Sequence, residues 1–289
     1  MNDPRFKEQN FQTIEIQPTF DYKKEIWLHH TNNTLQAFKN VLSKLNNEEA
    51  APLPICVFIN STDIIYSLMK QLDLLEESAV FCAPKSVDKL KKNRFCNVYE
   101  QWNKDKMKRY NFFTSRFFNA VDMELEEQPH VIMLTDVYFA EHTMIDPYTD
   151  AIQIVGRFRN GVSSITYISN TKKGLPQRSK EEIKGYLICS KEIYRTMKNF
   201  YDCATDRASR DAYRAALESL PFNRMLDRNG RENWFAIDNY MDEELMKNYF
   251  YDENSLYKAY DNCDSFIVYH AGYYCPLGDS ERLKSCLLY

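Results

Sequence analysis

The sequence predicts an α/β protein: a mostly parallel sheet flanked by helices, followed by a mainly helical C-terminal region. Up to about residue 168, short apolar runs of strand length alternate with amphipathic stretches of helix length. That alternation is typical of βαβ units, which build parallel sheets. After Gly174-Leu175-Pro176 the apolar positions recur at helical spacing instead. We therefore expect a sheet domain over 1–174 and a mainly helical accessory region over 175–289.

The first elements are lead-in strands. Ile14 and Ile16 alternate with polar residues, and the apolar run Ile26-Trp27-Leu28 follows, so two short strands are expected. Asn33 or Thr34 can cap the first helix, because both side chains accept from backbone N–H groups. Further strands are predicted at 55–59, 79–82, 96–98, 111–114, 131–134 and 164–168, with helices between them at 64–72, 86–92, 103–109 and 150–157.

The C-terminal region has a different pattern. Apolar and aromatic positions predict helices over 180–202, 206–219 and 242–260. Asn229-Gly230 is a two-residue hairpin signal, because both residues tolerate the left-handed conformations that tight turns need.

Composition limits the possible partners. The chain has 289 residues, a net charge of −4 and 44% hydrophobic residues, which does not favour a protein that binds nucleic acid by overall charge. Charge is distributed unevenly: residues 85–109 carry nine Lys or Arg against three acids, and residues 238–264 carry two against eight. Tyr99 and Trp102 lie within the basic stretch and Tyr110 follows it directly; these aromatic residues either stack on nucleic-acid bases or pack internally.

Several classes of protein are not expected. The N-terminus lacks the basic and apolar pattern of a signal peptide, and no apolar run approaches about 18 residues, so we expect a cytoplasmic protein without a membrane partner. The eight cysteines form no C-x-x-C pair. Cys263, His270, Cys275 and Cys286 have spacings that match no zinc site, so no metal is expected.

The segment Gln153-Ile-Val-Gly156-Arg157-Phe-Arg159 carries the most information about chemistry. Guanidinium groups are always charged and costly to bury without a partner. Their planar donor forks are suited to binding phosphate oxygens. The two arginines beside a glycine therefore indicate a phosphate-contacting site.

Two other polar segments precede it. Asn60 and Ser61 end the apolar run 55–59, and Thr114-Ser115 begins a segment that reaches Asp122. Together, the three segments resemble motifs IV, V and VI of superfamily 2 helicases and translocases, in that order. The resemblance covers about residues 34–168 and implies the second RecA-like domain of such an enzyme. In motif V, Ala120 stands where the family has glycine.

The resemblance implies roles for the residues that match motifs V and VI. Arg157 and Arg159 would reach the terminal phosphates of ATP and neutralise charge that develops there. Gln153 would orient the phosphates or couple them to motif V, and Gly156 would lie at the bound nucleotide. Asp122 would accept from the ribose or hold the two arginines in place.

Nucleic-acid contacts follow from the same resemblance. Asn60, Ser61, Thr114 and Ser115 would offer hydroxyl and backbone donors to a sugar-phosphate strand, which positions it without reading sequence. The implied partner is single-stranded DNA, in preference to RNA.

The sequence contains only part of the motif set. It has no Gly-Lys-Ser/Thr loop to hold phosphates, and Asp242-Glu243 starts a polar helical segment instead of ending an apolar strand. We therefore expect ATP and Mg²⁺ to bind only together with an N-terminal RecA-like domain, on a separate chain or a missing segment, and no hydrolysis by this chain alone.

Two alternatives remain open. A helicase-derived protein without catalytic activity could use its fold as an interaction scaffold, which requires no intact ATP site. A doubly wound enzyme acting on a small molecule would instead bind its cofactor at the strand ends, away from Arg157.

Overall fold

The structure is a computed structural model that describes residues 21–48, 52–119 and 121–286, together with Glu8 and Thr19. The chain folds into two compact units. One comprises residues 20–175 and 249–289, and the other comprises 1–19 and 176–248. The predicted region 175–289 is thus shared between the units. The expected strand around Ile14 and Ile16, and Ala120, lie outside the described residues.

The first unit contains a parallel sheet of eight strands in the described part of the chain, in the order β4-β3-β5-β2-β6-β7-β1-β8. Its strands are β1 Lys24–Thr31, β2 Ile55–Phe58, β3 Ser78–Phe81, β4 Val98–Tyr99, β5 Tyr110–Phe113, β6 His130–Thr135, β7 Ser164–Ser169 and β8 Phe266–Tyr273. All pairings are parallel. The predicted α/β class is confirmed, and the sheet is compatible with a RecA-like domain.

Helices flank this sheet. They are α1 Thr34–Glu48, α2 Thr62–Gln71, α3 Pro84–Lys92, α4 Asp150–Gly156, α8 Glu253–Asp261 and α9 Asp279–Cys286. One continuous core joins α1, α2 and α3 to the central strands through Phe38, Leu68, Leu90, Phe112 and Ile132, which are all less than 5% exposed. Strands β2, β3, β5 and β6 are buried along their whole length, which explains why they are continuous apolar runs in the sequence.

The second unit is helical where it is described. It consists of α5 Lys180–Cys203, α6 Arg207–Ser219 and α7 Trp234–Met246. A small core of Ile183, Phe222 and Ile237 holds these helices together. Ser179 and Glu182 form a capping box at the start of α5, which satisfies two of the free N–H groups there.

Three local predictions differ from the structure. The predicted helix 103–109 is only a short 3-10 turn, Lys104–Lys106. The predicted helix 242–260 is two helices, α7 and α8, separated by the turn Lys247–Phe250. The strand β8 was not predicted, and it pairs with β1 along eight residues.

Candidate functional site

The end of α4 lies beside the segment that contains Asp122. Met123 and Phe158 form a parallel bridge. The Met123 N–H donates to the Arg157 carbonyl oxygen at 2.8 Å, and the Arg159 N–H donates to the Met123 carbonyl oxygen at 3.2 Å. This backbone pairing brings motifs V and VI of the proposed assignment next to each other.

One carboxylate receives both arginines. Asp122 Oδ1 lies 2.5 Å from Arg159 Nη2 and 3.7 Å from Arg157 Nη1. The Arg157 side chain is 19% exposed and that of Arg159 is 49% exposed. With one negative charge against two positive charges, the cluster keeps a net positive charge on a partly exposed surface.

One further donor of each arginine binds a backbone carbonyl oxygen of α4. Arg157 Nε donates to the Gln153 carbonyl oxygen at 3.0 Å, and Arg159 Nη1 donates to the Gly156 carbonyl oxygen at 3.3 Å. Within the described chain, neither Nη group of Arg157 makes a hydrogen bond. Gln153 therefore contributes its carbonyl, which orients Arg157.

Asn60, Ser61, Thr114 and Ser115 form a second group, at the carboxyl ends of β2 and β5. They line a polar pocket of about 280 Å³ together with Arg116 and His142. The Ser115 N–H donates to Asn60 Oδ1 at 3.4 Å, and Asn60 Nδ2 donates to the His142 carbonyl oxygen at 3.1 Å. Such pockets at strand ends are where open parallel sheets bind ligands.

Several side chains in this pocket make no hydrogen bond or ion pair with the residues described, among them those of Thr114 and Arg116. Thr114 is 8% exposed, and its hydroxyl makes no hydrogen bond there. Arg116 is exposed and forms no ion pair with a described residue. This hydroxyl and this guanidinium give the pocket donors for an anion. Asp63 also lines the pocket, and its carboxylate is paired with Lys89.

The predicted residues thus form two groups and not one site. Gly156 and Arg159 line a different cavity, and no residue lines both that cavity and the pocket at Asn60. An aromatic layer connects the two groups: Phe58 stacks on Phe113 with ring centroids 5.0 Å apart and meets the Phe158 ring edge-on at 6.1 Å. This buried layer fixes the strand ends and α4 relative to each other.

The aromatic residues of the basic stretch are mostly packed internally. Tyr110 is 5% exposed. The ring centroids of Tyr99 and Phe81 are 5.7 Å apart. The Lys106 ammonium group lies 5.8 Å from the Tyr99 ring centroid. Internal packing therefore accounts for Tyr99 and Tyr110.

A polar network that the sequence did not indicate lies at the carboxyl ends of β1 and β6. Thr34 Oγ1 donates to Asp136 Oδ2 at 2.8 Å, and the Thr34 N–H donates to Asp279 Oδ2 at 2.9 Å. Asn170 Nδ2 lies within 2.9 Å of an oxygen of each carboxylate. Burial, and secondarily the charge of Asp279, raise the pKa of Asp136 above its ordinary value. No sequence signal joins residues more than 100 positions apart.

No protein-family model matches the chain, and no curated protein sequence is significantly similar to it. In the described segments, no group of three or more His, Cys, Asp or Glu side chains is arranged to hold a metal ion. None of the helices described there has the length and hydrophobicity of a membrane span.

Proposed function

We propose that this chain supplies the second half of an ATP site in a nucleic-acid helicase or translocase. An N-terminal RecA-like domain would bind the triphosphate and Mg²⁺, and Arg157 and Arg159 would approach the terminal phosphates from this side. The observation that carries the proposal is the contact of both arginines with Asp122. It supports the proposal because the resemblance assigned a holding role to this aspartate.

A second observation supports the nucleic-acid part of the proposal. The pocket at Asn60 and Thr114 offers unpaired donors at the carboxyl edge of the sheet. Single-stranded DNA, in preference to RNA, would lay its phosphates along this edge. Such contacts position the strand and do not read its sequence.

Arginine substitution tests the ATP half-site. We expect Arg157→Ala or Arg159→Ala to lower DNA-stimulated ATP hydrolysis on the order of 10³-fold, because a phosphate-contacting arginine stabilises charge in the transition state. The assay mixes the chain with an N-terminal domain that carries a Gly-Lys-Thr loop and an Asp-Glu box.

Arg207→Ala is the matched control, since the Arg207 side chain is 96% exposed and forms only a long contact with Asp211. The control should keep full activity. Full activity in both Arg157 and Arg159 variants would refute the half-site.

The second candidate function is an interaction scaffold derived from a helicase. One observation favours it: Asp122 already pairs with Arg159 at 2.5 Å, so this guanidinium has a carboxylate partner within the chain. Arg157 is also mostly covered. A scaffold would use the fold without binding ATP.

The salt dependence of DNA binding separates these two functions. If four phosphates are contacted, affinity for single-stranded DNA should fall ~50-fold between 50 and 200 mM salt, with a slope of about −0.7 per contact. A scaffold predicts weak or flat dependence. An RNA strand of the same sequence, measured in parallel, tests the preference for DNA.

A further inference from the structure

A cavity beside Gly156 is lined by Gly156 and Arg159 of the first group of predicted residues and by no residue of the second group. It has a volume of about 280 Å³ and lies between the end of α4 and the starts of β1 and β8. Its wall is largely apolar and consists of Ile152, Val155, Phe158, Val162 and Phe266. Tyr22 stands at its edge and is 42% exposed. Such a wall, with one exposed aromatic ring, suits a flat apolar group.

The chain leaves this space open. Gly156 is the last residue of α4 and does not have a positive φ, so glycine has no conformational advantage there over alanine, which has the higher helix propensity. A Cβ built on Gly156 would meet no atom within 4 Å. Neither a left-handed backbone nor close packing within the described unit requires glycine there. A side chain at position 156 would therefore obstruct only a ligand that approaches the cavity from outside the chain.

The charges at the cavity have one sign. Lys24 and Arg159 are its ionisable lining residues in the described segments, and no carboxylate lines it there. The Lys24 ammonium group has no partner among those residues, whereas Arg159 shares Asp122 with Arg157. A ligand with an anionic group would thus neutralise the positive charge of Lys24 and Arg159.

We propose that the Gly156 cavity binds a small phosphate monoester that carries one flat ring system, a ligand of the nucleoside monophosphate class. The ring enters the apolar cavity, and the phosphate lies between Lys24 and the guanidinium of Arg159. A volume near the lower end of the usual range for ligand pockets, about 300–1,000 Å³, favours one ring system over a larger ligand. The site shares Arg159 with the proposed ATP contact but requires neither hydrolysis nor a second domain.

Calorimetric titration of the full chain with AMP, adenosine and inorganic phosphate tests the ligand class. AMP should bind saturably, and adenosine and phosphate should each bind at least about tenfold more weakly, because each lacks one of the two anchoring groups. If AMP does not bind, or if either fragment binds as tightly as AMP, the proposal is wrong.

Two substitutions that fill the space test the location. Gly156→Leu and Ile152→Trp place bulk in the cavity from different sides, and each should weaken AMP binding by at least about tenfold. The thermal transition of each variant shows whether it is folded. AMP binding that is unchanged in a folded variant of either kind would overturn the assignment.

Substitution of two neighbouring lysines, Lys24 and Lys23, tests the phosphate contact. Lys24→Met should weaken AMP binding about tenfold and leave adenosine binding unchanged, because a charge-assisted hydrogen bond to phosphate is lost. Lys23→Met is the matched control, since Lys23 is also exposed and does not line the cavity. Equal losses in the two variants would indicate general electrostatic attraction and would contradict the site. Because these measurements need no ATP turnover, their failure is distinguishable from failure of the ATP half-site.

Discussion

At the scale of single residues, Asp122 and Asp136 are two carboxylates in opposite environments. Asp122 receives two arginines from the end of α4 and the residues just after it, yet its side chain is 54% exposed. Exposed ion pairs typically contribute only about 0–1 kcal/mol to stability. The pair therefore matters mainly for the orientation of the guanidinium groups. Asp136 is the opposite case, since it is 2% exposed and surrounded by hydrogen-bond donors.

Asp136 should make stability depend on pH. Burial raises its pKa, so the folded state binds a proton more readily than the unfolded state. Lowering the pH from 7 toward the ordinary carboxyl pKa of about 3.9 should therefore stabilise the wild-type chain relative to Asp136→Asn. Urea unfolding of both proteins at several pH values measures this difference.

The Asn variant keeps one side-chain oxygen and replaces the other with an NH₂ donor, so either Thr34 or Asn170 loses its acceptor. It should therefore be less stable than the wild-type chain at every pH. The test is therefore how the difference in unfolding free energy between the two proteins changes with pH, and not how large that difference is. If this difference in unfolding free energy stays constant or shrinks as the pH falls, burial does not raise the pKa of Asp136.

At the scale of elements, the two glycines at and just after the end of α4 differ in whether the backbone conformation requires glycine. A Cβ at Gly156 would meet no atom within 4 Å, whereas Gly161 has φ +85° and its Cβ would lie 3.1 Å from Gln128 Nε2. Only Gly161 needs the freedom of glycine, because L-residues rarely adopt that backbone conformation. The same substitution should thus change stability in opposite directions at the two positions.

Alanine substitution checks this difference. Gly156→Ala should raise the free energy of unfolding by about 0.5–1 kcal/mol, and Gly161→Ala should lower it by more than about 1 kcal/mol. Urea titrations measure both values, and each variant is the control for the other. Destabilisation by Gly156→Ala would show that the space at α4 is needed for folding.

Predictability also differed among the elements. The central strands were predicted well because they are buried on both faces, which leaves uninterrupted apolar runs such as 55–59. Strand β8 was missed although its first four residues, Phe266-Ile-Val-Tyr269, form an apolar run of strand length. His270 and Gly272 interrupt that run, and its position at the edge of the sheet leaves Ile267 and Tyr269 exposed. Periodicity also merged α7 and α8, since the turn Lys247–Phe250 keeps helix-like spacing.

At the scale of the whole molecule, the sheet unit is built from two separated parts of the chain. Leu256, Tyr260 and Phe266 come from the C-terminal part and are buried. The Tyr260 and Tyr167 ring centroids are 5.0 Å apart. The Lys172 N–H donates to the Phe250 carbonyl oxygen at 3.0 Å, so the two ends of the inserted segment lie close together.

This connectivity predicts which part can be removed. Replacing residues 176–248 with a Gly/Ser linker of about six residues should leave a sheet unit that melts cooperatively, because such a linker spans the short gap. A chain that stops at residue 248 should lose this transition, because the removed part includes β8 and the buried face of α8. Circular dichroism melting compares both proteins with the full chain. A cooperative transition in the truncated chain would refute the two-part unit.

The sequence by itself determined the α/β class, most of the central strands and the approximate positions of the polar strand ends. These features depend on local hydrophobic patterns, which are readable along the chain. The sequence left two roles open for Asp122, and only the tertiary structure placed it beside Arg157 and Arg159. Only the tertiary structure also decided that Asp136 and Asp279 share Asn170 and that β8 returns to pair with β1. These contacts join distant positions, because the order of strands in a sheet is set by packing of the whole molecule and leaves no local pattern.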